Sequence, residues 1–228
     1  MAIAIQEVHD FIRGLIKKNK GGFVSPKDID RAVNRASVDW MSAILSKYSR
    51  TKKFEFDHLL VKKANFSVTS TTGTQSLPSD YVEGLTVYLT LSGGTPVEGT
   101  LYNWDEFLEI QNSSILAPTT SYPAATIFLD TDNTRKIQFS PIPPATGTTY
   151  TYTLIYFKLP AVAVYNYSTD NYGNITYVPS GSIDLDWDAR YYGDILARAL
   201  MYLGISLDNQ ILLGAESLKD SNQKNDER

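Results

Sequence analysis

In residues 77–91 the chain reads Leu-Pro-Ser-Asp-Tyr-Val-Glu-Gly-Leu-Thr-Val-Tyr-Leu-Thr-Leu. The first four residues predict a turn. After the turn, apolar residues recur at every second position, at Leu85, Val87, Leu89 and Leu91. A period of two is typical of a β-strand that buries one face. We therefore expect this strand to lie in a β-sheet with a hydrophobic core.

Other segments share this period or are rich in Thr, Val and aromatic residues, which favour strands. They are residues 54–56, 64–69, 96–101, 125–129, 136–140 and 149–157. The strand that begins with Pro96 is expected at a sheet edge, because proline lacks the amide N–H that a central strand donates. In the last strand, Tyr150, Tyr152 and Tyr156 share one face. That face is expected to pack on a core or a partner, and stacking of sugars or single-stranded bases is the alternative.

Helices are predicted from apolar residues at helical spacing. The predicted ranges are residues 3–19, 25–49, 103–110, 182–204 (beginning at 182 or 184) and 208–220. Ser25 followed by Pro26 is a helix start signal, since serine caps the first turn and proline fits the first helical position. Asn103 is the predicted cap of the short helix.

The order of helices, strands and helices predicts an α+β fold. We expect the N-terminal and C-terminal helices to pack together beside a central antiparallel β-sandwich or barrel-like domain. The predicted parts are an N-terminal helical part in 1–53, a central β domain in 54–181 and C-terminal helices with a tail in 182–228. Residues 161–181 are rich in Tyr, Asn, Ser and Gly, which predicts an excursion or interface loop.

Charge is unevenly distributed along the chain. Residues 1–63 hold 13 Lys and Arg against 7 Asp and Glu, a net charge of +6. Residues 64–181 hold 3 against 9, and residues 182–228 hold 5 against 9, giving −6 and −4. The basic segment fits an acidic partner or DNA, but its cations are spread over helical turns, which favours solvated helix faces.

Few residues in the chain suggest chemistry. The absence of Cys excludes disulfides, zinc–thiolate sites and cysteine nucleophiles, and two His make a His-rich metal site unexpected. Asp184, Asp186 and Asp188 begin like a calcium loop, but Ala189 and Ile195 stand where Gly and Glu are needed. We interpret these carboxylates as groups at a helix N-terminus. No metal and no cofactor is expected.

The chain has two histidines, His9 and His58. His58 follows Asp57 and could in principle belong to a Ser-His-Asp triad, but no G-x-S-x-G elbow is present, so a structural histidine is the favoured interpretation. His9 has charged neighbours and is expected at the surface. No phosphate-binding glycine loop occurs. The chain is therefore expected not to be an enzyme.

Six segments in this order resemble a known family. They are Leu77-Pro78-Ser79-Asp80-Tyr81, Pro96-Val97, Trp104-Asp105-Glu106-Phe107-Leu108, residues 137–144 (IQFSPIPP), residues 153–160 (TLIYFKLP) and the helix that begins at Trp187. Together they resemble the head-to-tail adaptor, or connector ring, proteins of short-tailed bacteriophages. The chain resembles a crAss-like phage ring protein more than it resembles the compact all-helical adaptors.

The resemblance implies a structural virion protein with no catalytic residue. Such adaptors form a homo-oligomeric ring of about twelve copies. The ring lies below the portal protein at the head–tail junction, extends the DNA channel and docks the next tail ring or tail protein. DNA passes close by without specific contact, no membrane is involved, and assembly takes place in the host bacterial cytoplasm.

Two segments are the predicted contacts with these partners. The first is the 161–181 loop and the second is the last helix with its tail. The predicted interface residues are Tyr165, Tyr167, Tyr172, Tyr177, Ile211, Leu212 and Leu218. The alternative function is a carbohydrate- or receptor-binding β module of a phage or bacterial surface protein, which would use exposed Tyr and Trp side chains.

Overall fold

The computed structural model of the chain describes residues 2–18, 24–51, 60–71 and 73–205. It confirms the α+β class, with helices towards both ends of the sequence and a central β domain. Two compact units are present. One is Leu60–Leu159, and the other is formed by the described residues before 60 and after 159. Residues 160–181 therefore group with the helices in this division, and the predicted domain boundaries stay a prediction.

The described helices are α1 (Ile5–Lys18), α2 (Pro26–Thr51), α3 (Trp104–Asn112) and α4 (Tyr192–Tyr202). Both predicted caps are confirmed. The Ser25 hydroxyl accepts the N–H of Asp28 at 3.2 Å, and the Asn103 side chain accepts the N–H of Glu106 at 2.9 Å. The helix predicted over 208–220 and the strand predicted over 54–56 lie outside the described residues.

The strands of the described residues lie in three sheets. They are β1 (Ala2–Ile3), β2 (Val61–Val68), β3 (Thr74–Ser76), β4 (Tyr81–Thr90), β5 (Val97–Tyr102), β6 (Ala124–Leu129), β7 (Arg135–Ser140), β8 (Tyr150–Lys158), β9 (Tyr167–Thr169), β10 (Ile175–Tyr177) and β11 (Leu185–Asp188). The largest sheet has the order β2-β8-β4-β5-β6-β7-β3 and is a nearly closed barrel. Its two end strands approach each other, since the Gln75 side chain donates to the Ser67 carbonyl at 3.3 Å.

The stretch 77–91 supplies the turn before β4 and β4 itself. This strand pairs with β8 on one side and with β5 on the other. Val87 and Leu89 are fully buried, as their period predicts, and they share the barrel core with Tyr152 and Leu154 of β8. Two irregularities in the β4–β8 register, near Tyr81 and Gly84, interrupt the alternation in the first half of β4.

The prediction of an edge position for the strand near Pro96 is wrong. The strand β5 lies between β4 and β6 inside the sheet, and Pro96 precedes its first residue, Val97. The sheet is also mixed rather than purely antiparallel, because β5 and β6 run parallel. A parallel pair needs a long crossover connection, and here the connection contains α3.

The helix predicted to begin at Ser182 or Asp184 begins later. Residues Leu185–Asp188 form β11, which pairs antiparallel with β1, and a single 3₁₀ turn over Ala189–Tyr191 leads into α4. Leu185 and Trp187 are buried, which is the period of a strand. The strand forms because a partner from the other end of the sequence is available to accept and donate its backbone hydrogen bonds.

Candidate functional site

A polar cluster centred on Asp80 connects three strands of the barrel. The Tyr156 hydroxyl donates to one carboxylate oxygen at 2.8 Å, and Lys62 Nζ donates to the other at 2.8 Å. The backbone carbonyl of Asp80 accepts the N–H of Leu159 at 2.7 Å. The cluster joins the turn before β4 to β2 and to the end of β8, so the Leu-Pro-Ser-Asp-Tyr segment has a role in the fold.

The electrostatics of this cluster follow from its hydrogen bonds. Burial raises the pKa of Tyr156 to about 12, and its hydrogen bond to Asp80 acts in the same direction. Burial also raises the pKa of Asp80, but the hydrogen bonds from Lys62 and Tyr156 outweigh it and hold that pKa below its usual value. At neutral pH the phenol is protonated and the carboxylate is charged, and both support the fold.

The carboxylates of the Asp-x-Asp-x-Asp segment, Asp184, Asp186 and Asp188, accept hydrogen bonds from backbone amides. Asp184 accepts the N–H of Ile5 at 2.9 Å and thereby caps the first turn of α1. Asp186 accepts the N–H of Ala161 at 2.8 Å. Asp188 accepts the N–H of Arg190 at 3.1 Å, and this bond is the main cause that holds the pKa of Asp188 below its usual value.

Two of these carboxylates therefore serve helix N-termini, as the sequence predicts, although they serve different helices. Within the described parts of the chain, no group of three or more His, Cys, Asp or Glu residues is arranged to hold a metal ion. Asp57 and His58 lie outside the described residues.

The expectation that His9 lies at the surface is wrong, because its side chain is fully buried. Its ring stacks on Tyr165 with centroids 4.0 Å apart, and its Nε2 lies 2.8 Å from Asp30 Oδ1. Arg13 donates to the Tyr165 hydroxyl at 3.3 Å, and the Tyr165 N–H donates to Asp30 at 3.2 Å. Tyr165 is thus fixed between α1 and α2.

One face of α2 holds the chain that leads into and out of the 161–181 excursion. The Asn34 side chain pairs with the backbone of Ala163 through two hydrogen bonds, of 2.7 and 2.8 Å. The Trp187 indole N–H donates to the Ser37 hydroxyl at 2.6 Å, and both residues are buried. Asp30, Asn34 and Ser37 follow helical spacing. That spacing is the signal which sequence reasoning passed over.

The four tyrosines predicted at an interface fall into two groups. Tyr165 is only 3% exposed, so its ring is used within its own unit. Tyr167 and Tyr177 face each other across β9 and β10, are half-buried and lie near Tyr165, with ring centroids 6.3 and 5.0 Å from it. These three side chains form one aromatic cluster beside α1.

Tyr172 is set apart from that cluster. It lies at the tip of the β9–β10 hairpin and is 92% exposed. The tip is ordered by Asp170, whose carboxylate accepts the N–H groups of Tyr172 and Asn174 at 2.9 and 2.8 Å. Ile211, Leu212 and Leu218 lie outside the described residues, and the partner interface as a whole stays a prediction.

The tyrosine face of β8 is turned inward. Tyr152 and Tyr156 are buried in the barrel core, and Tyr150 is half-buried at its margin. The Tyr152 hydroxyl donates to the Pro141 carbonyl at 2.7 Å, and burial raises the pKa of this phenol. Rings in this position pack in the core, so Tyr152 and Tyr156 are not available to stack on a sugar or a base.

Several exposed large apolar side chains of the β unit occur on α3 and on the loop that follows it. Phe107 anchors α3 to the barrel, while Trp104 and Leu108 are partly exposed. On the loop, Ile115 is 89%, Leu116 67% and Tyr122 79% exposed. We call Trp104, Leu108, Ile115, Leu116 and Tyr122 the α3 surface. Sequence reasoning predicted only a capped helix in this region and missed it as a site.

The loop of the α3 surface has a defined conformation. The Ser113 hydroxyl accepts the N–H groups of Ile115 and Leu116 at 3.2 and 3.0 Å. Thr119 and Tyr122 exchange two backbone hydrogen bonds of 3.2 and 3.0 Å. Large apolar side chains that an ordered loop keeps exposed to solvent are typical of a surface that binds another protein.

Among the described helices, none is both long and apolar enough to span a membrane.

Comparison with known proteins identifies the family. No curated protein matches the chain. A family model described as SU10 adaptor protein matches residues 6–220, which is nearly the whole chain. The resemblance to phage adaptors is thereby confirmed, and the chain belongs to the SU10 adaptor protein family, a family of bacteriophage structural proteins of the head–tail junction.

Proposed function

We propose that this adaptor is a subunit of a homo-oligomeric connector ring below the portal protein. The ring extends the DNA channel and presents a platform to the next tail ring or tail protein. The observation that carries this proposal, beyond the family, is the α3 surface, where an ordered loop keeps Ile115, Leu116 and Tyr122 in water. Within the adaptor family we propose a ring protein of the crAss-like phage type.

A ring subunit at a junction needs several separate contact surfaces. It meets a neighbour on each side, a component above and a component below, and the two lateral contacts differ because the ring is head-to-tail. The chain has exposed apolar residues in both units, with the α3 surface in one and Tyr172 in the other. This distribution supports a protein that holds several partners at once.

We further propose that the adaptor has no catalytic role. Its polar clusters, Asp80 with Tyr156 and His9 with Asp30, are built into the packing of strands and helices. DNA is expected to pass without being held by the β unit. The β unit, Leu60–Leu159, contains eight Asp and Glu against five Lys and Arg, and this net charge of −3 repels phosphate.

The experiment that tests this function is a mass measurement of the purified adaptor, alone and mixed with the portal protein of the same phage. Negative-stain imaging of the mixture accompanies it. We expect rings of about a dozen subunits, formed either in solution or only on the portal. A portal from an unrelated phage is the control. An adaptor that stays monomeric and does not bind its own portal would contradict the proposal.

A further inference from the structure

We infer that the α3 surface of one copy docks on a basic and apolar face formed by α2 and α4 of a second copy. The inference rests on the proposed ring, since it assigns the contact between neighbouring subunits. It is argued from the charges and exposed side chains of two surfaces that lie in different compact units of the chain.

The α3 surface is apolar, and the helix that carries part of it is acidic. Asp105, Glu106 and Glu109 are all exposed on α3, and this helix contains no basic residue. In the sequence, no Lys, Arg or His occurs between Lys63 and Arg135. A partner for this surface therefore needs apolar side chains and positive charge, because like charges across an interface cost several kcal/mol.

The same chain presents such a face on its helical unit. Lys27, Arg31 and Arg35 are spaced four residues apart on α2, so they lie along one side of the helix, and all three are exposed. Val38 continues this line and is also exposed. The row thus begins with three cations, one of which, Arg31, also forms an exposed ion pair with Asp28 at 3.3 Å, and it ends with an apolar side chain.

The end of α4 widens this row into a face. The Arg35 guanidinium lies 4.5 Å from the ring centroid of Tyr202, which places the end of α4 beside the row on α2. Met201 and Tyr202 are both exposed. We call Arg31, Arg35, Val38, Met201 and Tyr202 the α2–α4 face. It offers three apolar side chains together with two cations.

The charges favour a second copy in the head-to-tail sense. Two α3 surfaces facing each other would bring six carboxylates together, and two α2–α4 faces would bring four guanidinium groups together. An α3 surface on an α2–α4 face pairs opposite charges and apolar centres. Such a contact joins unlike surfaces, so it repeats from copy to copy and closes into a ring when the rotation allows.

Charge reversal tests the contact. One variant carries Glu106→Lys with Glu109→Lys, and the other carries Arg31→Glu with Arg35→Glu. Mass photometry then measures ring assembly, with the portal present if the unaltered protein assembles only there. Each variant by itself is expected to lose at least about tenfold in assembly, and an equimolar mixture of the two is expected to recover it, because each α3 surface then meets an opposite charge.

The control is Glu83→Lys, an exposed reversal on β4 in the same acidic unit, which is expected to assemble normally. Circular dichroism establishes that every variant is folded. Rings that form normally from both charge-reversal variants would overturn the assigned contact and leave the proposed function standing. A loss of portal binding without a loss of ring formation would show that the portal covers the α3 surface, and would also overturn it.

Cross-linking provides a second, independent readout, since the natural chain has no Cys. Copies with Leu116→Cys and copies with Val38→Cys, carrying tags of different size, are mixed and treated with a short bismaleimide. We expect the mixed pair to be the dominant product. Cross-links between two copies that both carry Leu116→Cys would overturn the inference. The absence of any cross-linked product from rings that have formed would also overturn it. Failure of the unaltered protein to assemble at all, even on its portal, would instead reject the proposed function.

Discussion

Replacing Asp80 with Ala is expected to destabilise the barrel by about 2–3 kcal/mol. Most of the loss comes from Tyr156, which is buried and donates its hydroxyl to Asp80 at 2.8 Å. A buried donor left without an acceptor costs about 1–3 kcal/mol. The partner Lys62 is partly exposed, so its ion pair adds only about 0–1 kcal/mol.

A double-mutant cycle separates these contributions. In a Tyr156→Phe background the hydroxyl is absent, so Asp80→Ala leaves no buried donor unsatisfied and is expected to cost less than about 1 kcal/mol. The coupling energy between the two positions is therefore expected to be about 1–2 kcal/mol. Lys62→Met is the matched control for the ion pair.

The assay is denaturant unfolding, with backbone hydrogen exchange of β4 and β8 to report on the barrel itself. The reasoning is refuted if Asp80→Ala costs the same in both backgrounds. The pH dependence provides a further check. The folded state lowers the pKa of Asp80, so its contribution is present above roughly pH 4, the usual carboxyl value, and is lost as the pH falls through the folded value.

Four further predictions follow from other parts of the structure. The fold should lose stability as the pH rises from roughly 10 to about 12, because the folded state raises the pKa of Tyr156 to about 12. Tyr156→Phe should reduce that loss when unfolding is measured over a series of alkaline pH values. Gly99→Ala should destabilise the barrel by at least about 2 kcal/mol, since an added Cβ would lie 2.5 Å from the Pro123 carbonyl oxygen. Unchanged urea unfolding would contradict this close approach. Asn34→Ala should cost about 2 kcal/mol, because the Asn34 side chain accepts the N–H of Ala163 at 2.7 Å, and it should raise hydrogen exchange at Ala163. In the control variant Ser42→Ala, the protection of Ala163 from exchange should persist. Tyr172→Ala should change the free energy of unfolding by no more than about 0.5 kcal/mol and should weaken attachment to partner proteins in pull-down assays. Attachment as strong as that of the unaltered protein would show that Tyr172 is not part of the interface.

Local signals in the sequence predicted much of the fold. The alternation in β4 and β8 placed Val87, Leu89 and Tyr152 in a core, and they are buried. The caps Ser25 and Asn103 act within one turn of helix, so their neighbours in sequence are sufficient to predict them.

The errors arise where a partner comes from a distant part of the chain. His9 is buried because Tyr165 stacks on it, and nothing near His9 in the sequence indicates that ring. The strand β11 forms where a helix was predicted because β1 pairs with it. Long-range pairing of this kind overrides local propensity.

The candidate site is less predictable still. Ile115 and Leu116 lie in a segment rich in Ser, Thr and Pro, and only the hydrogen bonds of Ser113 show that the loop is ordered while these side chains stay in water. Whether a side chain is exposed depends on the folded structure, so two apolar residues in a loop segment do not indicate from the sequence that they are exposed. Tyr172 is different, because the Tyr/Asn/Ser/Gly composition of its segment did indicate a loop.

The central claim is that this adaptor forms the connector ring at the head–tail junction. The most direct measurement is a cryo-electron microscopy reconstruction of that junction in virions of the phage that encodes the chain. We predict a closed ring of this chain between the portal and the next tail component, with the acidic α3 surface of each copy against α2 and α4 of its neighbour. A junction without this chain, or copies of it only on the outer tail or fibres, would contradict the account.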